Sequence, residues 1–453
     1  MVATTAEARG VSPYLPVDIS PEIERKIERL MILADEPVLK RPLAAATVLD
    51  ALPRACERDA GLCEEVRSYL SSLTRTAGIS YASLSVGASS GATTPLPNRH
   101  GMDSNSSYEA AAAVYWQPST HFIVTGGALA YEGGTTPTGT VLSFGTEYAQ
   151  IDVGYRDHWL SPLTDSAMLV STEAETMPSA TISNYKPLTR FGLTYEAFIA
   201  EMSESANIIH EGVPTSGHPR LAGLHLSIEP VSGWSIGVNR IMQYGGGGRP
   251  DGLDDLLKAF FDPASDNDVN SDFGNQVASL STRYLVPGRT PVAVYFEYAG
   301  EDTSTTSNAR IGNVAVSAGV ELPALMGNRL SLTLEISEWQ NGWYVHHIYL
   351  DGLRNSGNVL GSWGGDWRTL GDDVGARSWM ARAGFDLERG GMLEATYRTL
   401  DNENYDTRTY ESAHNIELRY SRPWREFRWG AELNAGRDSF GESFGYFGAF
   451  MRF

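Results

Sequence analysis

A period-two alternation of apolar and polar residues, repeated at least ten times, restricts the fold of this chain more than any other feature. In Leu330-Ser-Leu-Thr-Leu-Glu-Ile-Ser337 every even position is aliphatic and every odd one polar. Asn313 to Glu321 sets Val314, Val316, Ala318 and Val320 against Asn313, Ser317 and Glu321. Pro291 to Tyr298 places Val292, Val294, Phe296 and Tyr298 opposite Glu297, and Asn415 to Tyr420 separates Ile416, Leu418 and Tyr420 from Glu417 and Arg419. Strand side chains point alternately to the two faces, so each stretch reads as a strand with charge on one face only. The last ten residues behave alike: Phe453, Met451, Ala449, Phe447 and Gly445 make an uncharged face, and Arg452 points the other way.

Alternation alone does not separate a soluble sandwich from a membrane barrel. Number and spacing do. Between about residue 80 and the end the pattern accommodates roughly eighteen strands, many about ten residues long, the length a tilted strand needs to cross a bilayer. Connections with Pro or Gly where a tight turn wants them occur at 117–120, 187–189, 230–233, 287–289, 388–391 and 422–425. Long ones intervene at 89–107, 203–218, 246–272, 301–309, 340–375 and 403–412. Short periplasmic turns alternating with long outer loops predict an antiparallel outer-membrane β-barrel of about 18 strands over residues 79–453. The stretch Asp157-His-Trp-Leu-Ser-Pro-Leu-Thr-Asp165 is long yet falls on the short-turn side of this count. Either it folds into the lumen or the register slips there.

Composition agrees. No apolar run approaches the roughly 18–20 residues of a membrane helix, the best being Ala110 to Trp116. Net charge is −20, which argues against nucleic acid or anionic lipid as electrostatic partners. Residues 1–78 hold 10 basic and 12 acidic groups, so the excess lies in the barrel, in its lumen or outer loops. Lysine occurs only at Lys26, Lys40, Lys186 and Lys258; either composition is biased, or guanidinium forks are wanted for luminal carboxylates and sugar hydroxyls. Met1-Val-Ala-Thr-Thr5 lacks the basic and apolar regions of a signal peptide, so a mature exported sequence with an added initiator Met is expected.

Residues 1–78 read as a small periplasmic helical domain. Ser20 and Pro21 open a helix with Ile23, Ile27, Leu30 and Met31 on one face; Leu43 to Leu52 gives a second, and Leu62 to Leu73 a third. Three short helices bury little alone, so they are expected to pack together against the periplasmic mouth. Cys56 and Cys63, the only cysteines, lack the neighbours of a zinc site. Export would oxidise them to a disulfide closing a short loop, worth roughly 2–3 kcal/mol; the alternative is two half-buried thiols.

The loop from Trp339 to Arg377 is the candidate site. It gathers Trp339, Trp343, Tyr344, His346, His347, Tyr349, Asp351, Arg354, Trp363, Asp366, Trp367 and Arg368 among many glycines. Sugar C–H faces stack on aromatic rings, and sugar hydroxyls bond carboxylates and guanidinium groups, so this mixture suits a polysaccharide platform. The plainer reading is that these rings fold the loop onto itself or form an interfacial aromatic girdle. No metal or cofactor is expected. His346 and His347 would face opposite sides of a strand, and Asp266, Asp268, Asn270 and Asp272 imitate only half a calcium loop, with Ser271 at the glycine position and Val277 at the glutamate position. Leu253 to Phe261 reads as a short amphipathic helix in the same long loop. Gly87 to Gly91 and Gly441 to Gly445 match Gly-x-Ser-x-Gly, but in strand and hairpin contexts, so no catalytic residue is assigned.

Several segments in order resemble the Wzi family of outer-membrane capsule-assembly proteins. They are Asp152-Val-Gly-Tyr-Arg-Asp-His-Trp159, Pro219-Arg-Leu-Ala-Gly-Leu-His-Leu-Ser227, Gln243-Tyr-Gly-Gly-Gly-Gly-Arg-Pro250, Gly274-Asn-Gln-Val-Ala278, Tyr298-Ala-Gly-Glu-Asp302 and His346-His-Ile-Tyr349. The resemblance implies a closed 18-stranded barrel that acts as a lectin-like surface protein. Leu160 to Asp165 departs from the Trp- and Gly-rich stretch expected after Trp159.

The leading expectation is therefore a non-enzymatic outer-membrane lectin-like protein that binds capsular or other surface polysaccharide and assists its attachment. Its expected surroundings are the outer membrane of a Gram-negative bacterium, its lipid and lipopolysaccharide, and the barrel-assembly machinery, which would read terminal Phe453. It is expected to be a monomer. The alternatives are a cation-preferring porin with inward Glu229, Glu297, Glu321, Glu335, Glu417 and Glu432, and an outer-membrane lipid or glycan hydrolase.

Overall fold

The computed structural model describes residues 10–261, 273–304, 307–404 and 408–453. Eighteen antiparallel strands, from Ala77–Gly91 to Ser443–Arg452, close into one barrel, with the three-residue strand Gly134–Thr136 folded back on Phe122–Tyr131. Closure is direct: Ser83 to Gly91 pair with Arg452 to Phe444 in unbroken register, and Phe453 N donates to Ala82 O at 2.8 Å. The alternation is inverted relative to a soluble protein. On Leu330–Trp339 the aliphatic Leu334 and Ile336 are 51% and 47% exposed, whereas Glu335 and Ser337 are 5% and 1% exposed. Such an exterior suits hydrocarbon and such an interior does not. Trp116, Tyr148, Trp234, Tyr284, Trp424 and Trp429 are exposed around the end that carries the tight turns, as an interfacial girdle requires. None of these belongs to the 339–377 loop.

The ambiguous stretch after Asp157 resolves in both of the ways anticipated. A two-residue turn at Glu147–Tyr148 separates strand Val141–Thr146 from strand Ala149–Tyr155. The register therefore shifts, and residues 156–177 leave from the long-loop end. They form no strand and fold into the lumen, where nearly all are buried. Short apolar runs such as Met168-Leu-Val170 look like strand in sequence, but here they are wanted as luminal filling.

The lumen is closed from the other end by the chain's start. Helix α1 (Pro21–Leu33) sits in the mouth at the short-turn end, with α2 (Ala45–Cys56) and α3 (Ala60–Ser72) beside it. Ile27, Leu30 and Met31 pack on α2 and α3 as the periodicity requires. The polar face of α1 is buried as well, because it meets charged barrel rim. Glu22 pairs with Arg452 at 2.7 Å, Arg29 with Asp386 at 3.0 Å and Arg25 with Glu394 at 3.4 Å, while Glu28 pairs with Arg41 of the segment after the helix at 2.7 Å. Ser20 makes no capping bond through its side chain; Asp59 caps α3 by accepting from Leu62 N at 3.0 Å. Cys56 and Cys63 are joined in a disulfide, with Cα atoms 5.3 Å apart.

The two fillings meet at mid-lumen. Arg41 and Trp159 exchange backbone hydrogen bonds of 2.9 and 3.0 Å, Ile32 packs on Leu163, and Thr172 Oγ1 donates to Asp18 Oδ2 at 2.8 Å. Luminal carboxylates that would line a cation pore are occupied. Glu297 accepts from Ser161, Glu321 pairs with Arg283, and Glu335 accepts from Thr164, Asp165 and Tyr295. Glu417 and Glu432 share Arg419, while Glu229 lies at a turn, accepting from Gly233 N. The arginine bias thus serves a packed lumen.

Candidate functional site

Residues 340–375 fold inward over the luminal segment as a cap. Trp339, Trp343 and Tyr344 are fully buried in one apolar cluster with Leu160, Met168, Leu169 and Val170. Tyr344 pins the cap: its N–H donates to Glu301 at 3.0 Å, its hydroxyl donates to Met168 O at 2.9 Å, and it accepts from Ser362 N at 2.8 Å. The glycines permit this approach, since a Cβ on Gly365 would lie 2.3 Å from the Tyr344 ring. Trp339, Trp343 and Tyr344 therefore present no ring to a ligand. Burying three large aromatic surfaces is what holds a 36-residue loop shut, and packing outcompetes recognition for them. Trp363 is half-buried against the same cluster and donates Nε1–H to Asp165 at 3.2 Å.

The other candidates divide into two places. Tyr349 is buried, with its hydroxyl donating to Gly245 O at 3.0 Å; His346 and His347 lie beside it with ring centroids 4.5 Å apart. The two imidazoles are thus neighbours, because the segment is a turn and not a strand. Among the described residues no group of three or more potential ligands gathers at a metal-binding spacing. The half-matching acidic run Asp266 to Asp272 lies outside the described residues.

Asp351, Asp366, Trp367 and Arg368 converge, together with the edge of Tyr349, on an open polar cleft of about 470 Å³ at the long-loop end. Arg354 from the cap, Ser203 and Glu204 from the 202–219 loop, and Arg408 complete it. These last three lie in segments already countable as long outer loops; their convergence has no signature in sequence. Asp351 accepts from Ser205 Oγ at 2.6 Å and Asn207 Nδ2 at 2.8 Å, which ties the two loops at the rim. Arg354 donates to Gly365 O at 3.1 Å and to Arg368 O at 2.6 Å. Trp367 stands edge-on to Phe440 at 5.3 Å. Arg368 is more buried, bonded to Val374 O and Asn402 Oδ1; burial pushes its guanidinium down to about 10. Burial raises both Asp366 and its neighbour Glu173; the Asp366 charge raises Glu173 further, whereas the hydrogen bond from Glu173 lowers Asp366, so the pair shares one proton that sits on Glu173. The cleft's arrangement offers donors, carboxylate acceptors and one aromatic ring to a polyhydroxylated ligand.

A second tie holds the 92–107 loop to the luminal segment. His100 Nε2 lies 3.2 Å from Asp157 Oδ2. Burial opposes the imidazolium, but the Asp157 carboxylate outweighs it and raises His100; burial likewise opposes the Asp157 charge, and His100 outweighs it and lowers Asp157. For a raised imidazole, stability is fully present below the unfolded value near 6.5 and is lost as pH rises through the folded value. For the lowered carboxylate it is lost only in acid. The melting temperature is therefore expected to fall as pH rises from 6.5 toward alkaline values, and His100→Gln is expected to flatten that part of the profile. An unchanged profile in the variant would assign the dependence elsewhere.

Residues 104–436, more than half of the chain, match the model of the family described as capsule assembly protein Wzi. The chain belongs to that family. Its fold is similar to that of Wzi from Escherichia coli, described as an outer membrane protein involved in group 1 capsule assembly and a carbohydrate binding β-barrel. The TM-score is 0.74 at 16% identity, covering 98% of this chain and 99% of that one. OccK5 (OpdH) of Pseudomonas aeruginosa is similar at a TM-score of 0.50 and 10% identity, covering 83% of this chain and 96% of that one. No curated protein matches the chain by sequence. At these identities the solved structures bear on the fold alone: a closed 18-stranded barrel of the outer-membrane type.

The segments that carry the Wzi resemblance sit where cap, luminal filling and wall meet. Arg156 and His158 reach Glu196, His225 bonds Asn239, Gln243 Nε2 donates to Gly352 O, and Asn275 Nδ2 donates to Glu301. What the sequence of this Wzi-family chain advertises is the closure of the barrel.

Proposed function

We propose that this Wzi-family barrel binds capsular or another surface polysaccharide in the cleft at its long-loop end and helps hold the polymer at the cell surface, without catalysis. The observation that carries this is the open 470 Å³ cleft above a filled lumen, a volume within the roughly 300–1,000 Å³ of small-molecule sites. Trp367 supplies a ring for a sugar face; Asp351, Glu204, Arg354 and Arg408 supply charged hydrogen bonds to hydroxyl or uronate groups. In this reading the N-terminal helices face the periplasm, Phe453 at the short-turn rim is the insertion signal, and the protein acts as a monomer. The filled lumen speaks against a diffusion porin. Neither Gly-x-Ser-x-Gly stretch lies at a strand-to-helix elbow, Ser89 falling within strand Ala77–Gly91 and Ser443 opening Ser443–Arg452, which gives a hydrolase no nucleophile of that kind.

The test is direct binding of purified surface polysaccharide by the purified full chain, alongside capsule retention in a deletion strain. Trp367→Ala combined with Asp351→Ala is expected to weaken binding at least about tenfold, the equivalent of about 1.4 kcal/mol. A wild type that binds nothing, in a strain whose deletion sheds no polymer, would sink the proposal.

A further inference from the structure

Helix α4 (Leu253–Phe261) belongs to the 245–273 loop but packs outside the barrel. Its Leu256 and Ala259 are buried on outward-facing Met242 and Tyr244, whereas Leu253 and Leu257 remain at least half exposed. Between the helix and the wall runs an apolar groove of about 460 Å³.

The strand register shows how the groove is made. Met242, Ala222, Ile199 and Ala180 are paired neighbours across four strands, forming one outward row two residues below the loop-end tips of those strands. Arg240, Leu224, Ala197, Ile182 and Ile151 form the next outward row, two residues further down. At about 3.3 Å per residue these rows lie within about 15 Å of the strand tips, in the half of a roughly 30 Å hydrocarbon layer nearest the long loops. Ala180, Ala197 and Ala222 leave the wall low where bulkier Ile199 and Leu224 flank them, and the helix roofs the depression. Arg240, a charge on the lipid-facing wall, is satisfied locally by donating to Phe260 O at 2.8 Å and Ala259 O at 3.3 Å at the helix C-terminus. Those bonds fix the helix, and hence the roof, against the wall at the level of Arg240.

We infer that this groove holds one acyl chain of the glycolipid that forms the outer leaflet, seated as a bound ligand rather than as bulk solvent. The groove is continuous with the lipid-facing wall and offers an apolar lining at acyl-chain depth, beside the long loops. The inference does not depend on glycan binding in the cleft. It depends only on the long loops lying on the outer side.

The experiment measures fatty acids that stay with the full chain after extraction from outer membranes and repeated washing in mild detergent. The wild type is expected to retain near-stoichiometric 3-hydroxyacyl chains, the mark of that glycolipid. Ala197→Phe combined with Ala222→Phe fills the groove and is expected to lower retention at least fivefold. Leu418→Phe, on the outer wall elsewhere, is the control for a general change of surface. Intact barrels are verified by their heat-dependent gel mobility. Retention of plain phospholipid chains instead, no retention by the wild type, or equal retention by the groove variant and the control would each overturn the inference.

Discussion

Replacing Asp165 by alanine is expected to destabilise the closed barrel by about 3–5 kcal/mol and to open a conducting path. Asp165 lies at the tip of the luminal segment and is almost fully buried. Its Oδ1 accepts from Arg398 Nε at 2.8 Å and lies 3.4 Å from Arg382 Nη2, while Oδ2 accepts from Trp363 in the cap. One carboxylate thus joins wall, luminal filling and cap. Removing it leaves two guanidinium groups buried with reduced compensation. Arg398 retains Glu417 at 3.0 Å, whereas Arg382 retains the Thr164 hydroxyl at 3.1 Å and the more distant charges of Glu335 and Glu28. An uncompensated buried charge costs far more than a surface pair contributes. Asp165→Asn keeps the shape and one acceptor and should fall between. Planar-bilayer recordings and the temperature of the gel-mobility shift supply the measurements. Steady wild-type conductance would refute the closed lumen itself, and a silent, equally stable alanine variant would refute the role given to Asp165.

The way the fold could be read from the sequence follows from which interactions leave a local pattern. Leu330 to Ser337 alternates because one face meets lipid and the other a polar interior, so both strand and membrane are legible in eight residues. Helices α1, α3 and α4 are legible for the same reason, from periodicity and end signals. The Glu147–Tyr148 turn carries no Pro, Gly or Asn to announce it, and the register around it slips accordingly. Residues 156–177 satisfy their backbone and side chains through contacts scattered over the whole chain, which no window of sequence contains. The cap fails differently: its composition is that of a binding loop, but Trp339, Trp343 and Tyr344 are consumed in burial. Which ring stays available is decided by what the loop lands on, and Trp367 stays because it lands at the edge, beside Phe440.

The second large effect is expected at Glu196, on strand Thr194–Glu201. Its carboxylate is fully buried and gathers three groups: Lys40 Nζ at 2.7 Å, Arg156 Nη2 at 2.8 Å and His158 Nδ1 at 2.8 Å. Lys40 comes from the N-terminal filling, and Arg156 and His158 from the segment entering at the other end. Glu196 is therefore the point where both fillings are tied to the wall. In Glu196→Ala two cations remain with Asp152 as the nearest carboxylate, 3.6 Å from Arg156, already accepting from Tyr14 and Gln150. A loss of about 3–5 kcal/mol is expected from breaking such a buried cluster. Glu196→Gln should lose less, because an amide oxygen still accepts one of the three. The informative experiment is a double-mutant cycle: Lys40→Met by itself leaves Glu196 with Arg156 and His158, and combined with Glu196→Ala it removes one of the two stranded cations. The double variant should recover part of the loss, with a coupling of about 0.5–3 kcal/mol, the range for residues in contact. Strict additivity would mean that Lys40 contributes nothing through Glu196, and that the two fillings are held to the wall separately.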